Sequence, residues 1–496
     1  MRLVHLMPAG AVLVALGAIA GAAQVVRPAA PGPDSAAAAA RQVTVTSAAR
    51  ACPPAQGSGS GPVAVIAGAA GATNTAGPAT AGQVELSALP PAGLPLRTTG
   101  PVRAQGPGVL SLLTVPAGAS TSKKGASVAE GWSVSASGTM AQAMEAEVAQ
   151  SSGMASVRCG EPGSDIWFVG PGQQNGAAQI QLDLMNIDSL AASADVSVIT
   201  DAGPAQAGND TGITVPPHQT VAESLSSMGS GSSVVAIEVH TSIGRVAADV
   251  SEGSSHSASW LPSTAPPSTE LVIPGVPSSS SAAGLFLAVP GTSSAKVNVL
   301  AITPQGQYRP FGSQTVDLPG ESASYMALTP LGGTAAALEI TSNVPVVAGV
   351  LVPGSGAGAF TAATAPISEQ AVVAGNTTGS GLAASVVLSA PAAAARVRLT
   401  EIAQGNGVSA GATGSQAVSV RAGHTMVASV TAPRGARRGS AFAVVITPLA
   451  GSGPLYAARV ETQGQNTIVS ILPAASALTT ISLPAVRNSY DAVSPP

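Results

Sequence analysis

Apolar residues along the chain occur in short runs that alternate with polar residues. In residues 235–240, for example, Val235, Ile237 and Val239 occupy every second position. A period of two residues is typical of a β-strand with one buried face. Seven short runs rich in Val and Leu, separated by Gly, Pro, Ser or Asn, lie within residues 270–352: 270–273, 284–289, 296–302, 314–318, 322–328, 336–341 and 344–352. The pattern therefore predicts short strands joined by turns.

Four similar apolar runs divide the chain at regular intervals: 140–148, 242–250, 345–352 and 454–460. Their ends are 102, 102 and 108 residues apart. A turn lies 33 to 40 residues before each end, and the four turns begin at Val115, Val215, Leu318 and Val420. Two landmarks that recur in register predict a tandem repeat.

Each repeat has the number of short strands expected of an immunoglobulin-like sandwich. We therefore predict an all-β chain of four tandem immunoglobulin-like β-sandwich modules of about 100 residues each. The predicted organisation is a signal or anchor at 1–26, a flexible linker at 27–42, and modules at 43–159, 160–262, 263–362 and 363–496, the last with C-terminal closing strands. A propeller-like arrangement or a closed ring of the repeats is the alternative.

Composition narrows the class of partner. Charged residues make up 9% of the chain and the net charge is -4, so there is no electrostatic basis for binding nucleic acid. Aromatic residues make up 2%, so each core must be built mainly from Val, Ile, Leu and Ala.

The N-terminal residues predict export. Residues 9–26 contain no charge, follow Arg2, and include small residues at Ala18, Ala20 and Ala22 that fit a signal cleavage site. The segment is also long enough to span a bilayer, so a cleaved signal peptide and an uncleaved membrane anchor both remain open. In either case we expect the rest of the chain to be extracytoplasmic, with membrane contact only through this segment.

The chain has two cysteines, Cys52 and Cys159, which occupy equivalent junction positions about one period apart. Export places both in an oxidising compartment, so we predict that they form a disulfide. A disulfide requires Cα atoms within about 7 Å of each other. The first and last strands of the first module must then lie side by side, which predicts compactly packed modules rather than beads on a string.

Few residues in the sequence indicate a catalytic or metal-binding site. Residues 407–411 match the nucleophile-elbow pattern around Ser409, but the surrounding Gly, Ser and Ala predict a loop instead of the required strand and helix. No His or Cys has a second ligand at metal-binding spacing. Glu145 and Glu147 should share one face of a strand, which we interpret as a solvated edge. We predict no catalytic, metal or cofactor-binding residue, no cofactor, and no enzymatic activity.

Four aromatic residues, Trp132, Trp167, Trp260 and Phe360, are candidate ligand or interface residues. They would either form a sugar-stacking platform or fill the interfaces between modules. Trp260 and Phe360 lie at matched junction positions, and a repeated junction aromatic favours the interface interpretation. A stacking platform would leave them exposed, and a scaffold would bury them.

Several motifs together resemble a known family. They are the element Trp167-Phe168-Val169-Gly170, the Val-Pro-Ala-Gly type turn at Val115, the strand beginning at Pro345, and the closing run from Leu483 to Arg487. Over roughly residues 43–493 the chain resembles an uncharacterised family of secreted actinobacterial proteins, known only as a domain of unknown function. The resemblance implies an extracytoplasmic protein of the cell envelope and supplies no catalytic residues.

Two hypotheses of function follow. The first is a non-catalytic structural or interaction scaffold of the envelope. The second is an accessory carbohydrate-binding protein linked to envelope glycan assembly. In both, the expected partner is an envelope protein or glycan.

Overall fold

The computed structural model describes residues 41–54, 63–68, 82–95, 108–113, 130–148, 156–173, 179–205, 211–254, 257–277, 283–310, 315–328, 331, 334–354, 358–377, 379, 381–405, 413–437, 439–464 and 467–483. The expected signal or anchor at residues 1–26 lies outside them. The chain divides into two units. In the unit formed by Met1–Val43 and Thr480–Pro496, strand β1 (Arg41–Thr44) pairs with strand β34 (Thr480–Leu483). The other unit, Thr44–Thr479, holds the remaining strands.

The first module is a sandwich of two antiparallel sheets. Its strands are β2 (Ser47–Cys52), β3 (Val63–Ala67), β4 (Val84–Leu89), β5 (Val109–Leu113), β6 (Gly131–Ser137), β7 (Glu145–Val148) and β8 (Val157–Arg158). The sheet orders are β2-β6-β4 and β5-β3-β7-β8. Val65 of one sheet and Leu86 and Val134 of the other pack in a shared core. A 3-10 helix, Gly138–Ala141, occupies the start of the run at 140–148, so only its second half is a strand.

The second module also has two antiparallel sheets. Its strands are β9 (Asp165–Pro171), β10 (Gln179–Asn186), β11 (Ala192–Thr200), β12 (Gly203–Pro204), β13 (Ile213–Val215), β14 (Gln219–Ser224), β15 (Val234–Ile243), β16 (Ala247–Ser254) and β17 (Ser257–Leu261). The orders are β14-β10-β16-β17 and β12-β11-β15-β9, with β13 also on β11. The alternating residues Val235, Ile237 and Val239 of β15 lie in the core, as their spacing predicts.

In the third module one long strand joins both sheets. The strands are β18 (Ser268–Val276), β19 (Ala283–Val289), β20 (Ala295–Thr303), β21 (Gly306–Tyr308), β22 (Val316–Leu318), β23 (Ser322–Leu328), β24 (Ala336–Val352) and β25 (Ala359–Ala362). The first half of β24 pairs with β18 and β20, and the second half pairs with β19 and β25. The separate strands predicted at 336–341 and 344–352 are therefore a single strand of 17 residues.

The fourth module repeats the sandwich. Its strands are β26 (Ala371–Asn376), β27 (Leu382–Ala390), β28 (Ala395–Ala403), β29 (Thr413–Val420), β30 (His424–Val430), β31 (Phe442–Pro448), β32 (Tyr456–Gln463) and β33 (Thr467–Pro473). The orders are β26-β31-β28-β29 and β30-β27-β32-β33. The predicted all-β sandwich class is confirmed. The residue numbers at which one module ends and the next begins stay a prediction.

Strand pairing corrects the alignment of the repeats. One residue of each landmark strand pairs with a large apolar residue of the next strand: Ser251 with Trp260, Leu351 with Phe360 and Val460 with Ile471. Val250, Val350 and Arg459 are therefore equivalent positions in the second, third and fourth modules. The predicted end at 352 is thus two residues too far along the chain, and the predicted end at 460 is one residue too far. A shift of one residue exchanges the two faces of a strand. Arg459 thus occupies the inward position at which Val250 and Val350 lie in their module cores.

The recurring turn has a common backbone conformation. Its fourth residue has a φ of 54° at His218, 52° at Glu321 and 69° at Gly423. The turn at Val115 lies outside the described residues. This left-handed conformation is unfavourable for residues with a Cβ and easy for glycine. Its recurrence in three modules supports the repeat, and it shows that two of these turns are strained.

We expect Glu321→Gly to raise the free energy of unfolding by about 1 kcal/mol, because glycine adopts the left-handed conformation without the Cβ clash. The matched change Gly423→Ala, at the equivalent position, should lower it by about 1 kcal/mol. Equilibrium urea unfolding of the two variants measures both changes. Shifts of the same sign in the two variants would contradict the shared turn conformation.

Contacts between modules form a closed cycle within Thr44–Thr479. One hydrogen bond at each interface illustrates it: Thr220 N–H to Pro90 O (3.0 Å), Ser259 Oγ to Gly358 O (3.0 Å), Thr425 Oγ1 to Ile302 O (2.7 Å) and Gly405 N–H to Leu110 O (2.9 Å). The last of these joins the fourth module to the first. The modules are therefore compactly packed and their contacts close on themselves. Each contributes two sheets, whereas a propeller blade is a single four-stranded sheet.

Candidate functional site

The segment that follows each module returns to the first strand of that same module. Four isolated antiparallel bridges make these connections: Ala51 with Gly160, Trp167 with Thr264, Val272 with Thr364, and Ala371 with Ser476. In the first module the disulfide Cys52–Cys159 lies beside the bridge, with its Cα atoms 4.2 Å apart. The predicted disulfide and the adjacency of the first and last strands are both confirmed.

These four junction segments line one pocket of about 470 Å³, which we call the junction pocket. Gly160, Pro262, Thr364 and Ser476 each represent one junction in its wall. Pockets of about 300–1,000 Å³ are the usual size for small-molecule sites. The repeat therefore places equivalent segments of all four modules around one concave site.

Both arginines of the junction pocket are paired with carboxylates. Arg158 Nε lies 2.9 Å from Glu145 Oε1, and Arg50 Nη1 lies 3.6 Å from Glu161 Oε1. Burial raises the pKa of Glu145, and the positive charge of Arg158 opposes that rise. Arg158 also donates to the Val372 carbonyl at 3.2 Å, across the interface with the fourth module. Neither arginine is thus available as an unpaired anion-binding group.

Other polar atoms in the pocket wall lack hydrogen-bond partners within the part of the chain that the structure describes. They are Ser156 Oγ, Trp167 Nε1, Asp249 Oδ2 and Thr364 Oγ1. Ser156, Trp167 and Asp249 are only 3%, 4% and 6% exposed. Buried polar atoms in native proteins are normally hydrogen-bonded, and leaving one unpaired is unfavourable. The wall therefore presents unused hydrogen-bonding capacity from the first and third junctions and from strands β9 and β16 of the second module.

Asp249 belongs to a pair of buried carboxyl groups. It lies directly opposite Asp183 in the pairing of β10 with β16. Met185 and Ala247, on the same face, pack against Ala51 of the first module, so another module covers this face. Burial raises the pKa of Asp183 to about 6, while burial and the neighbouring Asp183 raise the pKa of Asp249 well above its usual range. Only Asp249 reaches the junction pocket.

All four candidate aromatic residues are buried. Trp132 packs in the core of the first module. Trp167 packs against Phe286 of the third module, Trp260 against Val157 of the first, and Phe360 in the core of the second. Three of them therefore fill module interfaces, and none forms an exposed stacking platform. Trp167 and Trp260 also line the junction pocket.

The interpretation of Glu145 and Glu147 as a solvated edge is wrong, because the fourth module covers their face of β7. Glu147 is fully buried, accepts a hydrogen bond from Arg459, and accepts two more from the N–H groups of Ala374 (3.0 Å) and Gly375 (3.1 Å). Arg459 is also fully buried, and its Nη2 lies 3.8 Å from Glu461. Burial alone would lower the pKa of Arg459, but Glu147 and Glu461 outweigh it and raise that pKa.

Comparison with known families covers more than half of the chain. The model of a family of unknown function, DUF5719, matches residues 115–431. The chain belongs to this family. The match begins in the first module and ends in the fourth, and the family carries no described activity. No curated protein and no solved structure matches the chain.

Sequence reasoning on this DUF5719 chain missed the Asp183–Asp249 pair and the Glu147–Arg459 pair. In β10, Ile180, Leu182 and Leu184 alternate with polar residues, and alternation alone predicts that Asp183 faces solvent. The signal that was present is the repeat itself. At the core position of Val250 and Val350, the fourth module has an arginine, which requires a counter-charge from elsewhere.

The remaining candidates supply no further site in the part of the chain that the structure describes. Ser409 and the elbow pattern lie outside the described residues. Among the residues that are described, no group of three or more His, Cys, Asp or Glu could hold a metal ion. In the same part of the chain, no helix is long and apolar enough to cross a membrane.

Proposed function

We propose that this chain is a non-catalytic extracytoplasmic envelope protein that acts as a structural or interaction scaffold. The closed cycle of module contacts supports the proposal, because it fixes the outer surfaces of four sandwiches relative to one another within Thr44–Thr479. Burial of Trp132, Trp167, Trp260 and Phe360 supports it further. The uncharged segment at residues 9–26 supports export. The partner in this proposal is an envelope protein or glycan.

A second candidate function is that of an accessory carbohydrate-binding protein linked to envelope glycan assembly. The unpartnered polar atoms of the junction pocket favour it. This function differs from the scaffold in requiring the pocket, whereas the scaffold requires the module cycle.

Fractionation and chemical crosslinking of cells that express the full chain test the scaffold proposal. We expect the protein outside the cytosol, in crosslinked complexes with envelope components. Arg459→Met, which removes a contact between the first and fourth modules, should reduce the yield of those complexes severalfold, and Thr364→Val, which removes only an unpartnered pocket hydroxyl, should leave it unchanged. A full-length cytosolic protein, or equal loss of complexes in both variants, would contradict the proposal.

A further inference from the structure

The junction pocket combines unpaired polar atoms with apolar walls. Trp167 Nε1 can only donate a hydrogen bond, the hydroxyls of Ser156 and Thr364 can both donate and accept, and Asp249 offers a carboxyl oxygen. Val157, Trp260 and Ile471 provide apolar surface in the same wall. Mostly apolar pockets with a few convergent polar groups are typical small-molecule sites.

The charges of the pocket argue against an anionic ligand. Arg158 is held by Glu145 at 2.9 Å and Arg50 lies near Glu161, while Asp165 adds an acidic group to the wall. A phosphate or carboxylate would meet these acids without an unpaired cation to offset them. Burial also raises the pKa of Asp249 well above its usual range, which favours its neutral form and therefore a neutral ligand over a cationic one.

Hydroxyl groups match this wall, because each hydroxyl can donate and accept a hydrogen bond at once. We propose that the junction pocket binds a small neutral polyhydroxylated ligand, in the size range of a mono- or disaccharide, through Ser156, Trp167, Asp249 and Thr364. The proposal rests on the second of the two functions above. Ser156 belongs to the first module, Trp167 and Asp249 to the second, and Thr364 to the fourth, so binding stabilises the packing of these three modules.

Isothermal titration calorimetry on the full chain tests the proposal with named sugars. The probes are glucose, galactose, mannose, arabinose, N-acetylglucosamine, maltose, lactose and sucrose, with glucosamine and glucose 6-phosphate as charged counterparts. We expect at least one neutral sugar to bind, and both charged probes to bind at least about tenfold more weakly than that sugar, which corresponds to about 1.4 kcal/mol of binding free energy. Binding of none of the neutral sugars, or preference for a charged one, would overturn the proposal.

Matched variants locate the binding. Trp167→Phe removes one donor and should weaken binding about three- to tenfold, whereas Trp132→Phe, in the core of the first module, should not change it. Asp249→Asn, which retains a neutral side chain of the same shape, should bind more tightly than Asp249→Ala. Equal effects of Trp167→Phe and Trp132→Phe would overturn the assignment of the site.

Two further measurements separate the possible failures. In the unaltered chain, hydrogen exchange should slow at the junction amides when the bound sugar is added, and no slowing there would overturn the site even if a variant misfolds. Co-sedimentation with purified envelope polysaccharide tests the carbohydrate-binding function by itself. Equal co-sedimentation of the wild type and Trp167→Phe, with no free sugar bound, would overturn the pocket and leave that function standing. If no free sugar binds and the wild type does not co-sediment with the polysaccharide, both the pocket proposal and the carbohydrate-binding function are overturned.

Discussion

Arg459→Met is expected to lower the free energy of unfolding by about 3–5 kcal/mol, because it leaves the buried Glu147 carboxylate without its counter-charge. Glu147 is fully buried and its other oxygen is held by the N–H groups of Ala374 and Gly375. Those two hydrogen bonds keep the Glu147 carboxylate in place, facing the space that the Arg459 guanidinium occupied. Urea or thermal unfolding of the full chain measures the loss.

The control for this change is Arg398→Met, an exposed arginine on β28 of the same module. Surface substitutions of this kind usually change stability by no more than about 0.5 kcal/mol. The double variant Glu147→Gln with Arg459→Met removes both charges, so its loss should be smaller than the sum of the two single losses. A loss below about 1 kcal/mol for Arg459→Met would show that the pair contributes no more than an exposed ion pair.

The position of Arg459 explains how the first and fourth modules recognise each other. In the second and third modules the equivalent residues are Val250 and Val350, which complete their own cores. The fourth module instead buries a guanidinium, and Glu147 of the first module meets it. An unpaired buried charge is costly, so the fourth module depends on the first at this position. The same dependence helps to close the cycle of contacts.

The local pattern of apolar and polar residues predicted the strands, but it did not predict which strand faces are buried by another module. Alternation in β15 and short apolar runs elsewhere depend on neighbours along the chain, so the sequence predicts them well. Glu147, Asp183 and Asp249 lie on outward faces of their sandwiches, and only another module buries them. That burial depends on contacts between residues hundreds of positions apart, such as Arg459 with Glu147, which no local period encodes.

The disulfide was predictable for a different reason. With two cysteines in the chain there is one possible pairing within it, so the export predicted from residues 9–26 was enough to predict the bond. The junction pocket was not predictable, because its wall is assembled from four segments that are each unremarkable in sequence. The matched junction aromatics Trp260 and Phe360 were the nearest signal, and both are buried at module interfaces.

Replacing both Cys52 and Cys159 with alanine is expected to lower the free energy of unfolding by about 2–5 kcal/mol. The bond closes a loop with a sequence separation of 107 residues. Cross-linking a loop of about 100 residues restricts the unfolded chain by about 4.7 kcal/mol in the entropy model, which sets the upper end of the range. Both cysteines are fully buried, so alanine also leaves some unfilled space. Unfolding of the variant and of the wild type, compared without reductant, measures the loss.

Hydrogen exchange shows where the bond acts. In the first module the disulfide reinforces the bridge between Ala51 and Gly160, whereas the equivalent bridges, such as Trp167 with Thr264, have no disulfide. Exchange of the Ala51 and Cys159 amides should therefore quicken in the variant by more than exchange at Thr264. An unchanged unfolding free energy would contradict the stabilising role of the bond. If amide exchange instead quickened equally in all modules, every amide would report the same global opening. That result would contradict local reinforcement by the disulfide and assign its whole effect to the unfolded chain.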